Sequence, residues 1–232
     1  MPKKRLGQHF LTDPNILRRI VDFSRVGPSD CVVEIGSGRG ALTKTIAERV
    51  KRVIAIEIDH DLVKTLRTSV PTNVQIVEQD VLAADLAMIS PEPYHLLGNL
   101  PYNIATPLFR RFIQARSHIR SVTIMIQKEV ADRILARPGN KEYSPLSIGI
   151  QYYADVEDGF RVPQGAFTPK PKVDSAVIRL IWHHNVPDST ALMKFVQRAF
   201  RSRRKKLVNN LLAIHRGSNR TQLTATLDSI GI

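Results

Sequence analysis

The stretch Cys31-Val32-Val33-Glu34-Ile35-Gly36-Ser37-Gly38-Arg39-Gly40 decides the fold. Its first five residues form a short, mostly apolar run, the mark of a buried strand. Three glycines at alternate positions follow, and Ala41–Val50 then reads as a helix. Such a turn lets a ligand approach the backbone closely, and the helix N-terminus favours an anionic or carboxylate group there. The spacing is G-x-G-x-G, not the G-x-G-x-x-G of dinucleotide-binding folds.

Outward from this unit the alternation repeats. Arg52–Ile56 is a second strand, closed by Glu57 and Asp59, with a helix over Asp61–Ser69. Val74–Val77 is a third strand, followed by Gln79-Asp80. Tyr94–Leu97 and Ser121–Ile126 are the fourth and fifth, each leading to a helix, Ile104–Phe112 and Gln127–Ala136. Ahead of the first strand, Asp13-Pro14 supplies an N-cap and a Pro at N1 for a helix that Gly27-Pro28 ends. Strands regularly alternating with helices predict an α/β fold, a doubly wound, Rossmann-like and mainly parallel sheet.

Beyond Arg137 the regularity changes. Ser144–Tyr153 reads as a helix, and Val156–Val162 and Ser175–Trp182 as a hairpin at the sheet edge. Phe167–Val173 between them is too rich in Pro to be regular. After Pro187 the strand signal stops and Ser189–Ile230 reads as three short helices. The expected organisation is one domain over 1–186, opening with a basic arm over 1–12, and a small all-helical domain over 187–232.

Composition narrows the partners. With 34 Lys+Arg against 21 Asp+Glu, the 232-residue chain carries a net charge of +13, which favours a polyanion and, first, nucleic acid. The run Lys194–Lys206 concentrates the charge in Lys194, Arg198, Arg201, Arg203, Arg204, Lys205 and Lys206, with no acid among them. Phe195, Val196, Ala199 and Phe200 give it an apolar face, so a docked helix with a basic, phosphate-contacting outer stripe is expected. Cys31 is the only cysteine, which excludes an intramolecular disulfide and a Cys-based zinc site, and no pair of His has metal spacing. No apolar run approaches membrane-spanning length and no signal-type segment opens the chain, so a cytoplasmic protein without a membrane partner is expected.

Chemistry points to Leu96-Leu97-Gly98-Asn99-Leu100-Pro101-Tyr102, where the fourth strand leaves the sheet, the usual ligand position in an open α/β fold. Asn99 offers an amide oxygen that can accept from an exocyclic amine. Pro101 stiffens the turn, so the Leu100 carbonyl can point into a cleft. Tyr102 brings a ring that can stack on a base. Glu57, 21 residues past Gly36 at a strand end, can take both hydroxyls of an adenosine ribose, and Asp80 can accept from its adenine amine. The glycine spacing leans to S-adenosylmethionine over a dinucleotide.

The set Gln8-His9-Phe10-Leu11, Glu34–Gly40, Asp80-Val81, Asn99-Leu100-Pro101-Tyr102-Asn103 and Phe167–Ala176 resembles the ribosomal RNA adenine N6-dimethyltransferases, most closely the small-subunit (KsgA) type. The resemblance runs from about Arg5 to Leu211, with the motifs in the family's order. It implies cofactor contacts from His9, Leu11, Gly36, Glu57, Asp80 and Asn99, with S-adenosylmethionine as the methyl donor. Many relatives carry Asn at the position of His9, a departure that puts a side-chain contact in doubt and under which a backbone contact could survive. Asn99 and Leu100 would hold the target amine, with Tyr102 on one face of the adenine and Phe167 on the other. The substrate implied is a pair of adjacent adenosines near the 3′ end of small-subunit rRNA, in free rRNA or a pre-30S particle. A monomer needing no metal is expected. Relatives usually continue past the last residue here, so a truncated helical domain is expected too. The competing readings are a large-subunit rRNA dimethylase of the resistance type and a non-catalytic RNA-binding assembly factor. Leu100 and the Arg201–Lys206 cluster lean away from the first, and the retained glycine loop, Asn99 and Tyr102 from the second.

Overall fold

The computed structural model describes residues 8–101, 104–187, 190–202, 205–213 and 219–231. The α/β core follows the expected alternation. The N-terminal helix α1 (Pro14–Ser24) starts where the Asp13 carboxylate accepts from the Asn15 and Ile16 amides, and it buries Leu17, Ile20, Val21 and Ser24. That spacing of three and four residues places one apolar stripe on the sheet. The helix stops at Ser24, with Arg25 in the left-handed conformation, ahead of the Gly27-Pro28 expected to end it.

The principal strands are β2 (Cys31–Ile35), β3 (Arg52–Glu57), β4 (Val74–Glu78), β5 (Tyr94–Asn99) and β6 (Ile119–Gln127). All five run parallel, in the order β4-β3-β2-β5-β6. Helices α2 (Ala41–Ala47), α3 (His60–Arg67), α4 (Ala105–Gln114) and α5 (Lys128–Leu135) connect or follow them. Apolar side chains on both faces of β2, β5 and β6 are removed from water. Each fully buried Val, Leu or Ile contributes roughly 1.5–3 kcal/mol.

Past α6 (Pro145–Tyr153) come the two long strands β7 (Ala154–Val162) and β9 (Ser175–Trp182). They form the expected antiparallel pair, but the second lies inside. Strand β9 pairs with β6 along seven residues, and β7 takes the edge. The composition supports this placement, since β9 is buried from Ser175 to Leu180 whereas β7 alternates with exposed charges.

Two differences from expectation matter for the site. The Pro-rich segment is not wholly irregular: β8 (Phe167–Thr168) pairs antiparallel with β1 (Phe10–Leu11) of the N-terminal arm. The basic run Lys194–Lys206 is not one helix. Helix α7 (Thr190–Ala199) ends before the charges are densest, and α8 (Leu207–Leu212) and α9 (Arg220–Ser229) follow. Like charges four apart, such as Arg201 and Lys205, oppose helix continuation. Asn210 secures the break, donating from Nδ2 to the Ala199 carbonyl at 2.8 Å and the Ser202 carbonyl at 3.1 Å. On α7 the buried residues are Val196 and Ala199, whereas Phe195 is 45% exposed.

Candidate active site

A cleft of about 260 Å3 opens at the C-terminal ends of β2, β3 and β5. It lies where the strand order reverses between β2 and β5, the position predicted for a ligand. Its floor is the glycine loop. Gly36, Gly38 and Gly40 all have positive φ, and a Cβ on Gly40 would come within 2.6 Å of Leu66 Cδ2. Strand β5 comes equally close to β2, because Gly98 carries no side chain to strike the Ile35 carbonyl.

Glu57 ends β3 with only 5% of its surface exposed. Its Oε2 accepts from the Gly38 amide at 2.8 Å, and its Oε1 from the Ile58 and Asp59 amides at 2.9 Å each. Three backbone donors therefore fix the carboxylate at the lip of the loop, with further lone pairs able to accept hydroxyls. Asp80 is exposed after β4 and organises its own turn, Oδ1 accepting from the Leu82 amide at 2.9 Å. Ile58, 48% exposed between Glu57 and Asp59, gives the cleft an apolar wall, with Val81, Leu82 and Ile104 nearby.

The cleft also contains Glu34, which is 1% exposed and whose Oε2 has no hydrogen-bond partner among the described residues. Burial pushes its carboxyl up to about 8, with the Thr43 hydroxyl offsetting part of the rise and the Glu57 charge adding to it. The folded state therefore holds this proton while the unfolded chain loses it above its ordinary value near 4.5. Stability from this group is complete below that value and lost as pH rises toward 8. Glu34→Gln should accordingly gain on wild type as pH increases, the difference in melting temperature widening from pH 5 to pH 8.5. A difference independent of pH would show that Glu34 is already ionised in the fold.

Asn99 is the last residue of β5, and its Nδ2 donates to the His9 main-chain carbonyl at 3.1 Å. A carbonyl only accepts, so this contact assigns the amide: the NH2 is tied to the arm and Oδ1 is left for a ligand. Leu100 is anchored by its amide, which donates to the Met125 carbonyl at 3.0 Å, and by a side chain 1% exposed. Pro101 lines the cleft beside them.

Residues 8–11 of the N-terminal arm line the cleft. Gln8 Nε2 donates to Asp59 Oδ2 at 3.1 Å, and the Arg39 guanidinium lies 4.6 Å from the centre of the Phe10 ring. Gln8, Arg39, Ile58 and Glu34 line the cleft; the first, second and fourth lie in the motifs quoted above without a site role, and Ile58 lies in none. For Ile58 a signal existed, an apolar residue between two acids at a strand end.

Of the expected cofactor residues, His9, Leu11, Gly36, Glu57, Asp80 and Asn99 all line this one cleft. Leu100 and Pro101 join them, and Tyr102 lies outside the described residues. Phe167 does not line it. Its pairing with Leu11 turns both side chains inward, and the ring is 4% exposed in the apolar layer that holds Phe160 and Val162. In the helical region, Arg198, Arg201 and Lys205 surround a second concavity of about 590 Å3 with Asn209 and Asn210. Lys194 and Lys206 are exposed on either side along the chain, and Arg203 and Arg204 lie outside the described residues.

These residues fit S-adenosylmethionine. Glycines at positive φ leave the backbone open to an amino-acid end, the fixed Glu57 carboxylate keeps lone pairs that would suit ribose hydroxyls, Asp80 would suit an adenine amine, and apolar side chains wall the cleft. Among the described residues no group of His, Cys, Asp and Glu is placed to hold a metal ion, and no helix is long and apolar enough to cross a membrane.

Comparison with known proteins agrees with this geometry. A family model described as "Ribosomal RNA adenine dimethylase" matches residues 2–231. Ribosomal RNA small subunit methyltransferase A of Geobacillus sp. (strain WCH70) is 44% identical over 222 residues, covering 90% of this chain and 76% of that protein. Its namesake in Geobacillus thermodenitrificans is 42% identical, covering 99% and 83%. Among solved structures, a dimethyladenosine transferase from Plasmodium falciparum superposes with a TM-score of 0.78 at 30% identity, over 87% of this chain and 74% of that one. The 23S rRNA methyltransferase ErmE gives 0.74 at 29% identity, over 96% and 90%. A glycine-loop cleft with Glu57, Asp80 and Asn99 on its rim, in a chain matched almost end to end, makes this protein a member of the ribosomal RNA adenine dimethylase family.

Proposed function

We propose that the chain transfers methyl groups from S-adenosylmethionine to N6 of two adjacent adenosines near the 3′ end of small-subunit (16S) rRNA, during small-subunit maturation. The carrying observation is Asn99, whose NH2 donates to the His9 carbonyl, which supports Oδ1 as the acceptor for the target amine. An adenine amino group is a poor nucleophile because its lone pair is delocalised into the ring. Acceptance of its two hydrogens by Asn99 Oδ1 and the Leu100 carbonyl favours a pyramidal nitrogen with its lone pair aimed across the cleft. The bound cofactor supplies an electrophilic methyl on a sulfonium. The protein's part is then orientation and electrostatics, without a strong general base. Tyr102 stacks on the adenine, which must leave its RNA stack to enter. Phe167, buried under the arm, supports the ribbon that carries Leu11 and reaches a base only if that ribbon lifts.

Glu57 holds the ribose on this reading, with Leu11, Gly36, Asp80 and the His9 backbone completing the cofactor contacts. Lys194, Arg198, Arg201, Arg203, Arg204, Lys205 and Lys206 contact phosphates, the concavity at Arg198, Arg201 and Lys205 suiting a bent backbone. The helical part, 187–232, thus serves RNA binding, while 1–186 carries the chemistry. The protein works as a cytoplasmic monomer without a metal. Glu57→Ala should weaken S-adenosylmethionine binding by about a hundredfold while RNA affinity stays within about twofold, read by calorimetry and filter binding. Equal loss of both would show that the two sites are not separate.

The deciding test is transfer of labelled methyl to purified small and large ribosomal subunits lacking adenine methylation, with the modified base identified by mass. N6,N6-dimethyladenosine in small subunits alone is expected. Label in large subunits would move the chain to the resistance-type activity that the ErmE likeness also accommodates.

A further inference from the structure

We infer that the His9 side chain is a positioning residue for Asn99, acting through the arm and not by touching the cofactor. This rests on the reading of Asn99 as the acceptor of the target amine. The ring Nδ1 lies 2.7 Å from the Pro169 carbonyl. A carbonyl cannot donate, so Nδ1 carries the proton, and it does so in either charge state of the ring. The δ edge of the imidazole is therefore committed to the loop after β8. The His9 main-chain carbonyl, in turn, receives the Asn99 NH2 at 3.1 Å.

The backbone explains why a side chain is needed at this point. Phe10 pairs with Thr168 and Leu11 with Phe167, and the Thr12 amide donates to the Ala166 carbonyl at 3.2 Å. The same alternation puts His9 opposite Pro169 at a non-hydrogen-bonded position, so no ladder bond ties these two residues together. The His9 ring supplies the bond that the backbone does not make there, and so fixes the peptide of His9 against the loop after β8. The carbonyl of that residue sets which way the Asn99 amide faces. Without it, a 180° turn of the amide would present NH2 instead of Oδ1 to the incoming amine and repel it.

The test compares His9→Ala with His9→Asn, whose Nδ2 occupies the same position along the side chain as His Nδ1 and can donate to Pro169. His9→Ala should lower the single-turnover methylation rate at saturating cofactor by about thirtyfold while the cofactor Kd stays within about threefold. His9→Asn should recover the rate to within about threefold of wild type. In an Asn99→Ala background, His9→Ala should cost nothing further, as expected for two groups acting as one. Should His9→Ala fail to fold, His9→Phe keeps a ring, lacks the donor and gives the same comparison. A cofactor Kd raised with an unchanged saturated rate would make His9 a ligand and overturn the inference. So would an unchanged rate in both His9 variants, or a full His9→Ala loss on top of Asn99→Ala. An Asn99→Ala protein as fast as wild type would instead overturn the parent reading of Asn99.

Discussion

Asn99→Ala should lower the rate of methyl transfer at saturating cofactor by about two to three orders of magnitude, the size seen when one preorganised transition-state hydrogen bond is removed. Binding of the ground state should suffer far less, because the amide oxygen matters most as the amine nitrogen pyramidalises. Asn99 stands at the end of β5 beside the glycine loop, where the proposed transfer needs an acceptor. Asn99→Asp should be nearly as damaging although it keeps an acceptor. Its carboxylate would face the His9 carbonyl that now accepts from Nδ2, and that repulsion would turn the side chain away. Single-turnover rates with labelled cofactor on small subunits separate the cases. A fully active Asn99→Asp enzyme would show that the amide orientation is irrelevant.

Gly98→Ala should be the most damaging change of a single methyl group in the sheet. The added Cβ would lie 2.6 Å from the Ile35 carbonyl oxygen, a backbone atom with no rotamer to escape into. Ile35 and Gly98 are paired in the parallel ladder between β2 and β5, so relief requires prising the two central strands apart. Overpacking of this kind costs about 3 kcal/mol, which for a chain of this size lowers the melting temperature by roughly 6–12 °C. The same displacement would move Ile35 and Gly36 under the cofactor, so activity should fall even where the protein remains folded. Urea unfolding with an unchanged slope and a shifted midpoint is the expected signature. A midpoint equal to wild type would mean that the strands separate without penalty.

The parallel core was legible because its evidence is local and repeated. Each strand–turn–helix unit between Cys31 and Ala136 carries its own apolar run, breaker and periodic face. The cleft was legible for a related reason, since residues at the C-terminal ends of neighbouring parallel strands must converge, and Gly36, Glu57, Asp80 and Asn99 are such residues. What could not be seen depends on distant partners. A two-residue strand such as Phe10–Leu11 has no periodicity, and its pairing with Phe167–Thr168 reverses the outlook of the Phe167 ring from cleft to core. The order of β9 and β7 was likewise open, because a hairpin can dock by either strand until burial decides. In the basic run, composition spoke for charge but not for shape. The break after Ala199 is set by Asn210, eleven residues away and polar enough to pass unnoticed.

The ribbon of β1 and β8 has a consequence for how the protein comes into being. The arm is made before its partners, which lie far along the chain: His9 meets Pro169 across 160 positions, and Asn99 meets His9 across 90. The parallel units from Cys31 onward can collapse on near neighbours as they emerge, but contacts of such wide separation form late and slowly. The rim of the cleft is thus assembled after most of its floor. A nascent chain would hold the glycine loop, Glu57 and Asp80 well before it could orient Asn99, so competence for catalysis trails the appearance of the binding surface during synthesis.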